Sequence, residues 1–132
     1  MSHVVADASV LVPLTVDDGE RGAQAAAALR GHRLLAPQIV RFETLQGVWN
    51  LERRSVISAA HAVRAVQLFS ELRIELFPID GLVDRVWQLR HNATVYDASY
   101  AAVAELARVP LITFDARLAR VPGIRCEIVV PA

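Results

Sequence analysis

Four acidic residues, Asp7, Glu43, Asp97 and Asp115, stand where a folded chain could turn their carboxylates toward one point. Asp7 closes the apolar run 3–6, and Asp115 closes the apolar run 111–114. Asp97 falls in the first turn of a helix that Thr94 would cap, and Glu43 lies within a long amphipathic stretch. Converging carboxylates repel one another and resist ionisation unless a cation compensates. Hard divalent ions such as Mg²⁺ or Mn²⁺ take oxygen ligands and keep several waters. The chemistry such a cluster supports is phosphoryl transfer, with metal ions positioning a water and stabilising the leaving oxygen. Zinc is a poor alternative. Cys126 is the only cysteine, and His3, His32, His61 and His91 are scattered without ligand spacing. All basic residues are arginine, so no mechanism can rest on a lysine.

Each acid also has a purely local explanation. Asp7 and Asp115 could cap the turns that follow them, Asp97 could complete a Thr94-x-x-Asp97 capping box, and Glu43 could face solvent. The argument for a site is their joint placement. In α/β sheets ligands bind beyond the carboxyl ends of the strands, where two of these acids sit, and a helix start offers the third. Glu43 joins them only if its helix crosses that face.

The elements that would do the positioning follow from periodicity and punctuation. Residues 3–6 read as a buried strand, and 9–15 as a turn or short helix stopped near Pro13, apolar enough to belong to the core. Asp17 and Glu20 make an Asp-x-x-Glu box for a helix running to about residue 30, stopped by Gly31. A second strand at 33–36 ends at Pro37. Residues 38–54 form a helix with apolar Ile39, Phe42, Leu45 and Trp49 at three- and four-residue steps, and Ser58 caps another with Ala62, Val66, Phe69 and Leu72. The short link between them makes a helical hairpin. Residues 74–79 form a strand ending about Pro78, Asp80 caps a helix to about residue 90, and Thr94 caps the helix 96–108. A strand at 111–114, a short helix at 115–120 and a strand at 127–130 complete the pattern. Strands alternating with helices predict an α/β domain with a short, mostly parallel central sheet. Gly47 sits inside a helix at a cost of about 1 kcal/mol against Ala, which points to close packing or a kink.

These pieces together resemble the PIN-domain family and, within it, the VapC-type toxins. The matching segments are Val5-Ala6-Asp7-Ala8-Ser9, Glu43, Thr94-Val95-Tyr96-Asp97-Ala98 and Leu111-Ile112-Thr113-Phe114-Asp115. Their order spans nearly the whole chain. The resemblance implies one PIN-like domain over residues 1–132, with Asp7, Glu43, Asp97 and Asp115 as the metal-holding catalytic set. Ser9 and Thr113 would hydrogen-bond around it, although turn capping explains them equally well. It implies a Mg²⁺-dependent endoribonuclease acting on structured cellular RNA, of the tRNA or rRNA class. It also implies a homodimer and a cognate antitoxin that occupies the active-site groove. A second reading shares every residue: a catalytically silent PIN-like module whose acidic pocket docks a basic partner peptide. Other Mg²⁺-binding α/β domains fit worse. A phosphoaspartate receiver needs a lysine, and a haloacid-dehalogenase-like phosphatase needs Asp-x-Asp where Asp7 is followed by Ala8 and Ser9.

Composition bounds the rest. A chain of 132 residues, 54% hydrophobic, fits one domain with a substantial core. With 14 basic and 14 acidic residues the net charge is zero, so nucleic acid must be held by local arginines. Arg117 and Arg120, just after Asp115, are the candidates for phosphate contacts. Arg41, Arg53, Arg54 and Arg64 on the hairpin read as a solvated face. Trp49 and Trp87 read as core or interface residues, and Tyr96 and Tyr100 as packing behind the site. The first residues lack a basic segment before an apolar run, no apolar run approaches a membrane span, and a lone cysteine suits a reducing compartment, so a cytoplasmic protein is expected.

Overall fold

A computed structural model describes residues 2–17 and 19–132. Its centre is a five-stranded sheet, β1 (Ser2–Ala6), β2 (His32–Pro37), β3 (Ile74–Phe77), β4 (Leu111–Ile112) and β5 (Ile128–Val129), in the order β3-β2-β1-β4-β5. Every pairing is parallel; Val5, for example, stands opposite Leu35 on one side and Leu111 on the other. Parallel strands need crossover connections, and helices supply them. Six do so: α1 (Ala8–Val16), α2 (Gly19–Leu29), α3 (Val40–Arg53), α4 (Ala59–Glu71), α5 (Val83–Gln88) and α6 (Val95–Ala107). Two 3₁₀ turns, Ile79–Leu82 and Ala116–Arg120, complete the chain. The apolar core lies between sheet and helices. Val5, Leu111, Leu11, Val40 and Val103 are wholly shielded from solvent.

The order matters for function. From β1 the chain builds outward to β2 and β3 on one side, then crosses back to add β4 and β5 on the other. The crevice between the carboxyl ends of β1 and β4 is therefore the topological switch point, where open parallel sheets bind ligands. Helix α6 leads directly into β4 and packs on β1, β2 and β4. To feed a parallel strand it runs back across the sheet, so its N-terminus arrives at this same edge.

Several expectations need correction. Pro13 does not stop the first helix, which continues to Val16. The Thr15 hydroxyl reinforces its last turn by donating to the carbonyls of Leu11 and Val12 at 2.9 and 3.1 Å, and Asp17 closes it in a left-handed conformation, donating its N–H to the Pro13 carbonyl. Asp17 thus ends α1, and residue 18, which directly precedes α2, lies outside the described residues. Asp80 lies inside a 3₁₀ turn, and the helix beyond it is shorter than expected, ending at Gln88. Beyond Ile39, which packs against the core, the expected apolar stripe on α3 faces outward. Phe42 is 76% exposed and Trp49 51%, whereas Val40, Thr44 and Val48 form the buried face. Trp87 and Tyr96 are exposed as well, so neither tryptophan belongs to the core.

Gly47 explains which face α3 buries. A Cβ built there would lie 2.5 Å from Cγ2 of Val12, so α3 presses against α1 at closest approach. Val12 is β-branched and stiff within its helix. Gly47→Ala is therefore expected to cost roughly 1 kcal/mol net, an overpacking penalty of about 1–3 kcal/mol set against the gain in helix propensity. Urea denaturation would show it, and Val12→Ala in the same chain should return the loss by making room.

Candidate active site

The cleft at the switch point has a volume of ≈ 290 Å³ and is lined by Asp7, Ser9, Glu43, Asp97, Tyr100 and Asp115, together with Ala8, Gln46, Gly47 and Asn50. All four acids singled out from the sequence reach it, each from a different element. Asp7 follows β1, Asp115 follows β4, Asp97 lies in the first turn of α6, and Glu43 lies one turn into α3.

The local capping roles are also present. Asp7 accepts the N–H of Ser9 at 3.1 Å, Asp115 accepts that of Arg117 at 3.1 Å, and the Thr94 hydroxyl accepts that of Asp97 at 3.1 Å. Capping and site formation are thus not alternatives here. Each cap fixes the backbone that aims a carboxylate into the cleft.

Two hydroxyls lock the base of the site. Ser9 Oγ donates to Asp7 Oδ1 and Thr113 Oγ1 to Asp7 Oδ2, both at 2.6 Å. The same oxygens accept from the far side: Ser9 Oγ from the N–H of Phe114 at 2.9 Å, Thr113 Oγ1 from that of Asp115 at 3.0 Å. The ends of β1 and β4 are tied together through these two side chains. Glu43 is held by a residue read only as packing: Tyr100 donates its hydroxyl to Oε1 at 2.7 Å. A sequence signal for this existed, because Tyr100 lies three residues after Asp97 and so shares its helix face.

Electrostatics show the convergence. Burial lifts the Asp7 carboxyl from 3.8 to about 6, against the hydrogen bonds of Ser9 and Thr113, and the charge of Asp97 adds to the rise. Asp97 is raised by burial and then by Asp115. Burial, then the bond to Glu43, pushes the Tyr100 hydroxyl well up, so it stays a donor. Asp115, in contrast to Asp7 and Asp97, is lowered, because Arg117 donates to it through Nε and Nη2 at 3.0 and 2.9 Å. That contact gives Arg117 a second role beside the expected one: its guanidinium neutralises an acid of the cleft, and at 86% exposure it can swing away. Arg120 is exposed and does not line the cleft. Gln46 and Asn50 do, and were missed, though they fall three and seven residues after Glu43 on the same helical stripe.

The donor set suits a hard divalent cation. It is all oxygen, with no histidine or cysteine at the cleft. Among the described residues no three His, Cys, Asp or Glu side chains are already gathered to hold a metal ion. An ion here would take one or two carboxylates directly and water for the remainder, which is how Mg²⁺ is commonly held.

The comparisons with known proteins agree with this geometry. The family model described as "PIN domain" matches residues 4–124. A VapC ribonuclease of Mycobacterium bovis is 35% identical over 127 residues, covering 96% of this chain and 97% of that protein. Among solved structures, VapBC2 from Rickettsia felis, bound to a DNA fragment from its promoter, superposes with a TM-score of 0.66 at 13% identity, covering 98% of each chain. VapC20 of Mycobacterium tuberculosis, described as a sarcin–ricin loop cleaving toxin, gives 0.65 at 20% identity, covering 92% of this chain and 96% of that one. The two structures establish the likeness of fold, and the family model and the full-length relative establish descent: the chain belongs to the PIN domain family, and within it to the VapC-type proteins.

Proposed function

We propose that this protein is an endoribonuclease toxin whose catalytic centre is the carboxylate cleft, and that an antitoxin restrains it. The observation that carries the reading is the set of four acids from four elements lining one cleft at the switch point of a parallel sheet. Of Asp7, Glu43, Asp97 and Asp115, one or two carboxylates would hold Mg²⁺, or Mn²⁺ in its place, directly and the others through its waters, with Glu43 oriented by Tyr100 at the rim. The bound ion would supply an activated water and offset charge on the leaving oxygen. Ser9 and Thr113 keep Asp7 aimed and help it ionise; Tyr100 keeps Glu43 from turning to solvent. The target class is structured cellular RNA, tRNA or rRNA, as the family likeness suggests and as the description of VapC20 illustrates for that protein.

Partner surfaces are present. Phe42, Leu45, Trp49 and Val63 are exposed on the α3–α4 hairpin, and a second apolar hollow of ≈ 330 Å³ lies between the α5 region and α6, lined by Val83, Trp87, Val95 and Tyr96 among others. Contiguous exposed apolar surface of this kind marks interaction sites, which suits an antitoxin and a second copy of the chain. No helix among the described residues is long and apolar enough to cross a membrane.

The test is cleavage of total cellular RNA by wild type and Asp97→Asn, each with Mg²⁺, Mn²⁺ or EDTA. Discrete fragments are expected from wild type with metal only, and at least about 100-fold slower cleavage from the variant, the order seen when one charge-stabilising group is removed from an active site. No cleavage by folded wild type would overturn the nuclease reading and favour an acidic pocket that docks a basic peptide.

A further inference from the structure

The carboxylate cleft has an electrostatic problem. It gathers four acids, and a phosphodiester chain is a polyanion. Arg117, which is paired with Asp115, would have to give up that pair to meet a phosphate. The cleft continues along α3, where Glu43, Gln46, Gly47 and Asn50 follow one another at helical spacing and all line it. One further step of the stripe reaches Arg53 at the last turn of the helix.

These residues are wired in one direction. Asn50 Oδ1 accepts from Gln46 Nε2 at 2.9 Å and from Arg53 Nε at 3.0 Å. An amide oxygen has two lone pairs, so Oδ1 is saturated. Both donors find an acceptor only if the amide is turned with Oδ1 toward them, and Nδ2 then has no acceptor among the described residues. Arg53 is exposed, tied through Nε alone, and belongs to no salt bridge among the described residues, which leaves its Nη1 and Nη2 donors without a protein acceptor there. Apart from the Gln46 Oε1 acceptor, what the ledge offers is hydrogen-bond donors and one positive charge. Its complement is a run of acceptor oxygens carrying negative charge.

From this we infer that Gln46, Asn50 and Arg53 form a ledge that holds the RNA phosphate backbone as the strand enters the cleft, with Arg53 gripping a phosphate and Asn50 both orienting Arg53 and donating through Nδ2. The inference rests on the nuclease reading for its substrate class. It revises the sequence expectation for Arg53 alone: Arg53 does not itself line the cleft but is bonded to Asn50, which does, whereas Arg41 lies over Phe69 in a separate hollow with Arg33 and Arg73, and neither it, Arg54 nor Arg64 bonds through its side chain to a residue of the cleft among the described residues.

The competing explanation is that these bonds only support the helix. Such i,i+3 and i,i+4 pairs stabilise a helix by about 0.2–0.5 kcal/mol each. Asn50→Asp separates the two. Aspartate keeps an acceptor for both Gln46 and Arg53 but replaces the free donors with a charged acceptor, so helix support survives and backbone binding does not. Binding of a fluorescently labelled RNA stem–loop would be measured by anisotropy across a salt series, with every variant carrying Asp97→Asn so that the probe stays intact. Arg53→Gln is expected to weaken binding about 5–10-fold near 0.1 M salt and to reduce the slope of log K against log salt by about 1, the signature of one lost phosphate contact. Asn50→Asp is expected to weaken binding at least as much, with an unchanged melting temperature. Binding and slope equal to the parent in both variants would overturn the ledge, as would a parent that binds no RNA at low salt. If binding depends on Arg53 and Asn50 while wild type cleaves no RNA, the nuclease reading falls and the ledge stands. Cleavage by wild type with binding indifferent to both residues gives the reverse.

Discussion

Asp7→Asn is expected to abolish RNA cleavage and, in the same molecule, to raise the stability of the metal-free protein at neutral pH. Asp7 is 6% exposed and titrates near 6 when folded, against 3.8 in the unfolded chain. Between those values the folded state binds the extra proton, so stability falls as pH rises. The contribution of a neutral Asp7 is complete below 3.8 and lost as pH passes 6. Above that the ionised, buried carboxylate is a standing penalty of about 3 kcal/mol, two pKa units at 1.36 each. Asparagine carries no charge to bury. Its carbonyl oxygen still accepts from Ser9, and Thr113 Oγ1 has a lone pair to accept from the new amide. Thermal melts in EDTA at pH 4.5 and 7.5 would show wild type losing stability across the interval and the variant changing much less. Millimolar Mg²⁺ at pH 7.5 should stabilise wild type, because the ion binds the folded, ionised site, and should leave Asp7→Asn nearly unmoved. Parallel pH profiles for the two proteins would mean that burial of Asp7 is not the source of the penalty. The trade is what an active site that stores unfavourable charge should show.

Much of this site could be read from the chain because its acids sit at punctuation. Asp7 and Asp115 end apolar runs, Asp97 starts a helix behind Thr94, and strand ends and helix starts meet at one edge of a parallel sheet. The strands were legible as apolar runs, the first two slightly short of their true ends and the last three overextended. The 111–114 run forms ladder pairs only at Leu111 and Ile112, because Thr113 and Phe114 already turn toward Asp7 and Ser9. What periodicity could not decide was orientation. Helix α3 carries two stripes of three- and four-residue spacing, Phe42–Leu45–Trp49 and Val40–Thr44–Val48, and the more hydrophobic one is outside. The choice is made by close approach to α1 at Gly47, a tertiary fact with only a weak local trace, an otherwise unfavourable glycine within a helix. The same choice turns Glu43 inward, four residues before Gly47. Thus the least certain of the four acids and the misread stripe are one question, answered by one contact.

The fate of Arg117 shows the opposite limit. Adjacency to Asp115 predicted a cation near the site, and the structure supplies it, but as a partner of the acid. Sequence distance does not distinguish a group that will meet a substrate from one that neutralises a neighbouring acid. The exposed guanidinium forms a solvent-screened surface pair, which contributes little to stability.

Thr113→Val is the sharper probe of how the site is held together. Thr113 is fully buried, and its one hydroxyl donates to Asp7 Oδ2 and accepts from the N–H of Asp115, joining two of the four acids through a single oxygen. Valine preserves the shape and removes that oxygen. The Asp115 N–H loses its partner at a cost of about 1–3 kcal/mol, and Asp7 loses one of the hydrogen bonds that hold its titration down, so its pKa rises further. Cleavage at fixed Mg²⁺ is expected to fall about 10–100-fold, the usual effect of removing a group that orients metal ligands. A loss of packing alone would do this equally at every pH. Loss of the bond to Asp7 would not: the Mg²⁺ concentration for half-maximal cleavage should rise most near pH 6.5 and recover toward wild type by pH 8.5, where Asp7 is ionised regardless. Thr113→Ser, which keeps the oxygen and gives up a methyl group, should stay near wild type in metal requirement while losing some stability. If Val and Ser behave alike in their metal requirement, the hydroxyl is a packing element, and the tie between the ends of β1 and β4 must reside in Ser9, whose oxygen makes the parallel pair of bonds to Asp7 and to the N–H of Phe114.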